Sequence, residues 1–320
     1  MRSLSIIIPN YNGESLVKQF LPSVIEAAKA YAGAKEIIFT DDCSSDSGVA
    51  AAAELAAGLD WFKIVSASEN GGFSATCNLG ARSAAGEILF FLNNDVKLDP
   101  HYFETFSDYF NDAGVFSLAP CGFSFYDGRQ IDGIKTVSWK KGFLRFTGNI
   151  YNECLEKKPY LSFSVQGSYF FVDRRKFETL GGFDEIYSPY VMEETDLAYR
   201  ALKKGWKIVY GPEFKAYHRV GSSINSKTSR KTRIISARNR LIFTWKNIHS
   251  TSMLAEHFMF LAFRLLGCSP VLWRGFLAAL KMRARICSAR AKARTEAVRT
   301  DRELLNFYIP YFKELQRAKR

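Results

Sequence analysis

The sequence predicts an α/β fold on a mostly parallel, doubly wound sheet, and three observations carry the prediction. Short apolar runs alternate with segments of helical spacing four times before residue 100. The run Ile88-Leu89-Phe90-Phe91-Leu92 is apolar at every position, the pattern of a central strand buried on both faces. It passes straight into Asn93, Asn94 and Asp95, polar groups at a strand's carboxyl end, where open α/β sheets bind ligands.

Residues 4–9 read as the first strand, stopped by Pro9, and Asn10-Tyr11-Asn12-Gly13 as the turn into a helix over 14–31. A second strand, 36–40, ends in Asp41-Asp42-Cys43-Ser44-Ser45-Asp46, and an alanine-rich helix follows. A third strand over 62–65 leads through Ser68-Glu69-Asn70-Gly71-Gly72-Phe73 to a helix over 74–85, which Gly86 stops before the central strand. Residues 103–163 are aromatic and irregular, with short strands and turns over 122–148. Residues 164–172 read as a strand in which Gly167 allows close backbone approach, and 173–185 as a short helix with a glycine stop. A helix over 192–204 is closed by Gly205, with Leu197, Ala198, Ala201 and Leu202 as its inward stripe. A strand over 206–210 then leads toward His218.

The chemistry sits at the strand ends. No GxGxxG follows the first strand and no GxxxxGK[ST] occurs, which excludes the common dinucleotide and P-loop readings. Asp41 and Asp42 end one strand and Asp95 another, an arrangement for holding a nucleotide partly by acceptors and partly through a metal. Asp41 suits a pyrimidine N–H or a ribose hydroxyl; capping the next helix is the competing role, which Ser44, Ser45 or Asp46 fill equally well. For Asp95 the competing role is a polar turn cap. On the helix over 192–204, Asp196 is placed to pair with Arg200 at i,i+4. Glu194 lies three and four residues before Leu197 and Ala198, so it points toward the buried side as the less neutralised carboxylate, while Glu193 and Asp196 sit further round. Glu194 is therefore a candidate general base, against the alternative of favourable charge at a helix N-terminus.

At 320 residues the chain has room for one large or two modest domains. Its net charge of +12 is unevenly placed: residues 226–320 hold 21 Lys and Arg against 5 Asp and Glu, and residues 1–225 hold 23 against 27. The expected division is an acidic body over 1–225 and a basic region over 226–320. Cys43, Cys77, Cys121, Cys154, Cys268 and Cys287 form no CxxC and have no histidine at ligand spacing, so they read as free thiols in a reducing compartment. The first strand follows Met1-Arg2-Ser3 at once, leaving no room for a signal peptide, and no stretch reaches about 18 uncharged apolar residues. The expectation is a cytoplasmic chain.

Together, several segments resemble the inverting glycosyltransferases of family 2, with the GT-A fold. They are Ser5-Ile6-Ile7-Ile8-Pro9-Asn10-Tyr11-Asn12, Thr40-Asp41-Asp42-Cys43-Ser44-Ser45-Asp46, Glu69-Asn70-Gly71-Gly72-Phe73, Phe91-Leu92-Asn93-Asn94-Asp95, Gly181-Gly182-Phe183-Asp184-Glu185, Glu193-Glu194-x-Asp196-Leu197-x-x-Arg200 and His218. They span roughly residues 3–223 in the family's order. The resemblance implies donor binding by Pro9, Tyr11, Asp41, Asn70, Asn93, Asn94 and Gly167, with Asp41 on the base or ribose. It implies that Asp95, last residue of an Asp-x-Asp-like motif, ligates Mg²⁺ or Mn²⁺ on the diphosphate, with His218 as a further ligand. Asn93 replaces the motif's first Asp, a departure that resembles the rhamnosyl- and galactofuranosyltransferase-like branch. Glu194 falls at the catalytic base, where relatives often carry Asp, and Glu193 is the reserve. The implied partners are a UDP- or dTDP-sugar donor and a glycan or lipid-linked saccharide acceptor in cell-surface polysaccharide assembly.

Beyond Ser226 two apolar segments, 254–266 and 271–280, are split by Gly267-Cys268-Ser269-Pro270 and followed by Lys281, Arg283, Arg285, Arg290, Lys292 and Arg294. Apolar faces beside dense positive charge fit helices lying on an anionic membrane surface, here the inner face of the cell membrane. A helical subdomain packed internally or in a homo-oligomer is the competing reading. Nucleic acid is disfavoured because no recognised binding module accompanies the charge. Two other functions remain beside glycosyl transfer: a nucleotidyltransferase, whose basic glycine-rich loop Asn10-Tyr11-Asn12-Gly13 does not supply, and a non-catalytic nucleotide-sugar-binding scaffold docked on membrane.

Overall fold

The computed structural model describes residues 1–151, 155–156, 158–221 and 229–317, apart from the side chain of Thr147. Cys154 and the first residues of the basic region, 226–228, lie outside the described residues. The N-terminal half runs β1 (Leu4–Asn10), α1 (Glu14–Ala30), β2 (Lys35–Asp41), α2 (Gly48–Leu55), β3 (Phe62–Ser66), α3 (Phe73–Arg82), β4 (Ile88–Leu92) and β5 (Val96–Leu98). Then come β6 (Val115–Ser124), β7 (Gln130–Asp132), β8 (Ile134–Lys140), β9 (Phe143–Ile150), β10 (Tyr160–Leu161), β11 (Tyr169–Asp173), α4 (Arg174–Thr179), α5 (Glu193–Lys203) and β12 (Lys207–His218). Five helices complete the described chain: α6 (Arg230–Asn247), α7 (Thr251–Leu266), α8 (Pro270–Lys281), α9 (Arg283–Glu296) and α10 (Asp301–Arg317).

The central sheet has the order β10-β12-β6-β11-β4-β1-β2-β3, with β5 on β12 and β7 on β6, and β8–β9 form a separate hairpin. β1 pairs parallel with β2 and β4, β2 with β3, and β12 with β6. β11 runs antiparallel to both β4 and β6. The fold is thus the mixed α/β, mostly parallel architecture the sequence predicts, with one reversed strand inserted beside the central one. That reversal matters for the site. Because Tyr169 at the start of β11 pairs with Leu92 at the end of β4, the turn before β11 lies at the parallel strands' carboxyl edge.

β4 is covered on both faces, as its unbroken apolar run requires. Leu89 and Phe91 enter a core shared with α5 and the C-terminal helices, whereas Ile88, Phe90 and Leu92 enter a core built with α1 and the aromatic segment after β5. In the second core Phe171 lies 4.2 Å from Phe90 and stacks on Phe106 at 5.0 Å, both between ring centroids. Each buried ring stabilises the sheet by roughly 1.5–3 kcal/mol relative to exposure.

Three details depart from the sequence reading. The strand expected over 164–172 begins only at Tyr169, since Gly167 and Ser168 form a turn across which Gln166 bridges to Tyr169. The strand expected over 206–210 continues to His218 through an irregularity between Gly211 and Lys215. Third, α5 is not amphipathic in its setting: Glu193 and Asp196 are buried along with every residue from Leu197 to Lys203, and Glu194 is the more accessible. The reason is distant in sequence. α6 and α10 cover the side of α5 that its polar residues suggested was solvent-facing, supplying Lys246, Asn247 and Asp301 as partners.

Candidate active site

Three strand ends and one turn converge on the sheet's carboxyl edge. At the ends of β1 and β2, Asn10 Nδ2 donates to Asp41 Oδ1 at 2.9 Å, and the Ser44 amide and hydroxyl donate to the same carboxylate at 2.9 and 2.6 Å. Asn94 Nδ2 donates to Asn10 Oδ1 at 2.7 Å, tying the end of β4 into this chain. Asp41 therefore stands buried with three local donors on its carboxyl group, out of about four acceptor positions. Gly13 is required here because a Cβ would meet Asn94 Nδ2 at 2.3 Å. Pro9 sits two residues beyond the last β1–β4 pair, Ile7 with Phe91, where its missing N–H leaves that side of the ladder intact. Tyr11 beside it is exposed.

Asp42 has a different task from Asp41. Its two carboxylate oxygens accept from the amides of Gly71 and Gly72 at 2.8 and 2.9 Å, and Asn70 Nδ2 reaches the Asp42 carbonyl at 3.2 Å. The glycine-rich loop is thereby fixed to the end of β2, at the start of α3.

Asp95 and His218 are brought together by pairing of β5 with β12, which sets His218 opposite Val96. His218 Nε2 lies 3.3 Å from Asp95 Oδ1, and Ser168 Oγ is 3.4 Å from the same nitrogen. Adjacent ligands of an octahedral cation at about 2.1 Å would stand about 3 Å apart, so this pair fits one edge of such a site. Among the described residues no third His, Cys, Asp or Glu joins them, so further ligands would be donor oxygens or water. Asn93 is fixed by its backbone, its amide donating to the Ser168 carbonyl at 2.8 Å.

Gly167 and Ser168 join this pair to α5. A Cβ on Gly167 would stand 3.4 Å from Glu194 Cδ, so the Glu194 carboxyl packs directly against that glycine. Its neighbour Ser168 touches His218. Consecutive residues of one turn thus contact the candidate base on one side and the candidate metal-binding pair on the other.

The two glutamates differ in setting. Glu193 is 6% exposed, its Oε2 has no hydrogen-bond partner among the described residues, and burial, then the neighbouring Glu194 charge, push its carboxyl up to about 8. Glu194 is raised from the usual carboxylate range by burial, opposed by its own backbone hydrogen bonds and by the positive charge of Lys135. Asp196 differs again. Burial alone would raise it, yet Lys246 and then Arg200 hold it well below the ordinary range. It accepts from Arg200 at 2.7 Å, Lys246 at 2.8 Å, Tyr187 at 2.8 Å and Asn247 at 2.7 Å. Lys246 also pairs with Asp184, so this network clamps Gly181-Gly182-Phe183-Asp184-Glu185 to α5.

One site-bracing residue escaped the sequence reading. Val191 and Met192 enter α5 with φ of +78° and +86°, a conformation costly for a β-branched residue. Asn239, fully buried in α6, donates from Nδ2 toward the carbonyls of Tyr187, Tyr190 and Val191 at 2.7, 2.9 and 2.8 Å. It holds the strained turn that aims Glu193 and Glu194. The available signal was an Asn, a poor helix former, flanked by two arginines inside an otherwise helical segment.

The glycosyl transferase family 2 profile matches residues 5–181. A candidate glycosyltransferase of Mycobacterium tuberculosis (strain CDC 1551 / Oshkosh) is 30% identical over 103 residues, 32% of this chain and 30% of that protein. Among solved structures, GalNAc-T7 with UDP, GalNAc and Mn²⁺ is similar at TM-score 0.60 and 16% identity, covering 78% of this chain and 49% of that one. The mannosyltransferase PcManGT from Pyrobaculum calidifontis, with GDP-Man and Mn²⁺, gives 0.56 and 17%, covering 98% and 83%. S. aureus TarS 1–349 with UDP-GlcNAc gives 0.56 and 16%, covering 92% and 89%. The chain thus spans about a third of the first curated relative and half of the first solved neighbour. The structural likenesses show the GT-A fold.

Proposed function

Because the chain belongs to glycosyl transferase family 2, we propose that it moves a sugar from a nucleoside diphosphate sugar to an acceptor hydroxyl by a metal-dependent, inverting single displacement. The observation that carries this reading is the turn Gly167–Ser168, set between Glu194 and the Asp95–His218 pair. A general base and a diphosphate-binding pair on the two sides of one small turn suit attack on an anomeric carbon from the face opposite the leaving group.

In this reading Glu194 takes the proton from the acceptor hydroxyl, its raised affinity for protons bringing it nearer to neutral pH. Gly167 leaves room beside it, and Glu193 is the reserve base. Asp41 receives the base or ribose of the donor, with Asn10 and Ser44 holding its carboxylate in place; Pro9, Tyr11, Asn70, Asn93 and Asn94 line the same edge. Asp95 and His218 would hold Mg²⁺ or Mn²⁺, which when bound neutralises charge on the departing diphosphate. Neighbours with Mn²⁺ and with UDP- or GDP-linked ligands support this assignment. Asn93 and His218 favour a UDP- or dTDP-sugar and a rhamnosyl- or galactofuranosyl-type reaction. The acceptor is a glycan or lipid-linked saccharide of cell-surface polysaccharide assembly. Residues 1–225 form the catalytic part, and 226–320 place it peripherally on the cytoplasmic face of a membrane; among the described residues no helix is long and apolar enough to cross one.

Glu194→Gln tests the base. Donor binding should be retained while transfer falls by roughly 10²–10⁴-fold. Unchanged turnover would remove Glu194 from the mechanism, and the same measurement on Glu193→Gln would show whether the reserve carries it.

A further inference from the structure

α7 and α8 form a hairpin closed at its tip, where the Trp273 indole donates to the Leu265 carbonyl at 2.9 Å and Ser269 caps α8. One side of α8 is fitted to α6. Gly275 lies so close that a Cβ there would come within 2.8 Å of the Ala237 side chain, and Leu272 and Ala279 are buried. The other side faces outward. Met259, Phe263 and Leu266 on α7, and Trp273, Leu277 and Leu280 on α8, are between 38% and 77% exposed. In each helix the spacing is i, i+4, i+7, so the six side chains make two apolar rows. Soluble surfaces seldom leave such a patch without an occupant.

Charge identifies the occupant. Residues 251–294 contain one acid, Glu256, and its carboxylate is turned inward to accept from the Gly142 amide at 3.1 Å and the Trp139 indole at 2.5 Å. Around the apolar rows stand Arg274, Lys281, Arg283 and Arg285, all exposed. In the last turn of α7, Arg264 stacks 5.2 Å from the Phe143 ring centroid, and Arg145 lies two residues along the same face of β9. Arg240 of α6 joins them: burial, then Arg145 and Arg264, lower its proton affinity. Among the described residues none of these three arginines has a carboxylate partner. A second copy docked on this face about a two-fold axis would set cations against cations. An anionic lipid surface satisfies both the apolar rows and the charge around them.

We propose that the α7–α8 hairpin is the lipid-docking element of this protein, its apolar rows entering a bilayer interface while the surrounding cations, with Arg145, Arg240 and Arg264, meet anionic headgroups. This deepens the peripheral membrane placement made above and is independent of the transfer chemistry.

The test is flotation of the full chain with phosphatidylcholine vesicles, with and without phosphatidylglycerol. Two double variants at exposed positions are compared with it, Phe263→Glu/Leu266→Glu and Arg274→Glu/Lys281→Glu. The unsubstituted chain should float with the anionic vesicles, and each variant should bind them roughly tenfold more weakly or worse, with melting temperature and donor hydrolysis unchanged. If the chain floats and both variants float equally, the hairpin assignment is overturned while the membrane placement stands. A chain that ignores anionic vesicles overturns both. A concentration-dependent dimer that Phe263→Glu dissociates, without vesicle binding, would reassign the face to self-association.

Discussion

Glu193→Gln is the most exacting perturbation of the α5 entrance, because the burial of that carboxyl fixes its sign. The Glu193 carboxyl is buried, one oxygen lacks a partner among the described residues, and burial with the adjacent Glu194 charge raises it from 4.5 to about 8. In the unfolded chain the same group titrates near the ordinary value of about 4.3. Between these values the folded state binds the extra proton, so stability falls as pH rises across the window. The contribution is fully present below about pH 4 and lost by about pH 8. At about 1.4 kcal/mol per unit, a shift of this size amounts to a few kcal/mol, on the order of 5. Gln is isosteric and stays neutral, so the variant should match the parent below about pH 4, exceed it increasingly up to about pH 8, and gain nothing further above that. Urea unfolding midpoints measured across that range give the comparison directly. Parallel curves for the two proteins would refute the buried, proton-holding description of Glu193.

Asn239→Ala should leave the carbonyls of Tyr187, Tyr190 and Val191 short of their buried donor and lower stability by about 1–3 kcal/mol. If Asn239 positions the base, kcat should fall well beyond any change in donor KM; a loss of stability with kcat intact would make it a purely structural brace. Lys246→Met removes the cation shared by Asp184 and Asp196 and should cost about 3–5 kcal/mol, read from thermal or urea unfolding. Gly167→Val leaves an ordinary backbone undisturbed yet drives methyl groups into the Glu194 carboxyl, so transfer should drop by about 10²-fold with the melting temperature nearly unchanged.

What the sequence shows of this molecule follows from the range of the interactions involved. Ile88–Leu92 announces a doubly covered strand because both faces write their burial into five adjacent positions. Asp41, Asp95 and the i,i+4 partner of Asp196 are equally local, each readable from a strand end or a helix turn. The reversal of β11 is not readable, since a buried apolar strand has the same composition in either direction. Nor is the cover over α5. Glu193 and Asp196 look like the outer side of a first turn until Lys246 and Asn247 reach Asp196 from more than forty residues away.

That long-range cover changes how the C-terminal helices relate to the chemistry. α6 braces the strained turn before α5 through Asn239 and neutralises Asp196 through Lys246, while its other side carries α8. If both proposals hold, a helix with the candidate base on one side and the lipid-docking hairpin on the other would set the direction from which an acceptor reaches Glu194. The placement gives the uneven charge of the chain a physical sense. In the proposed function the acidic body would hold its diphosphate through a divalent cation on Asp95 and His218, and the positive charge is kept on helices whose apolar rows leave the body, where a membrane-anchored acceptor would be presented.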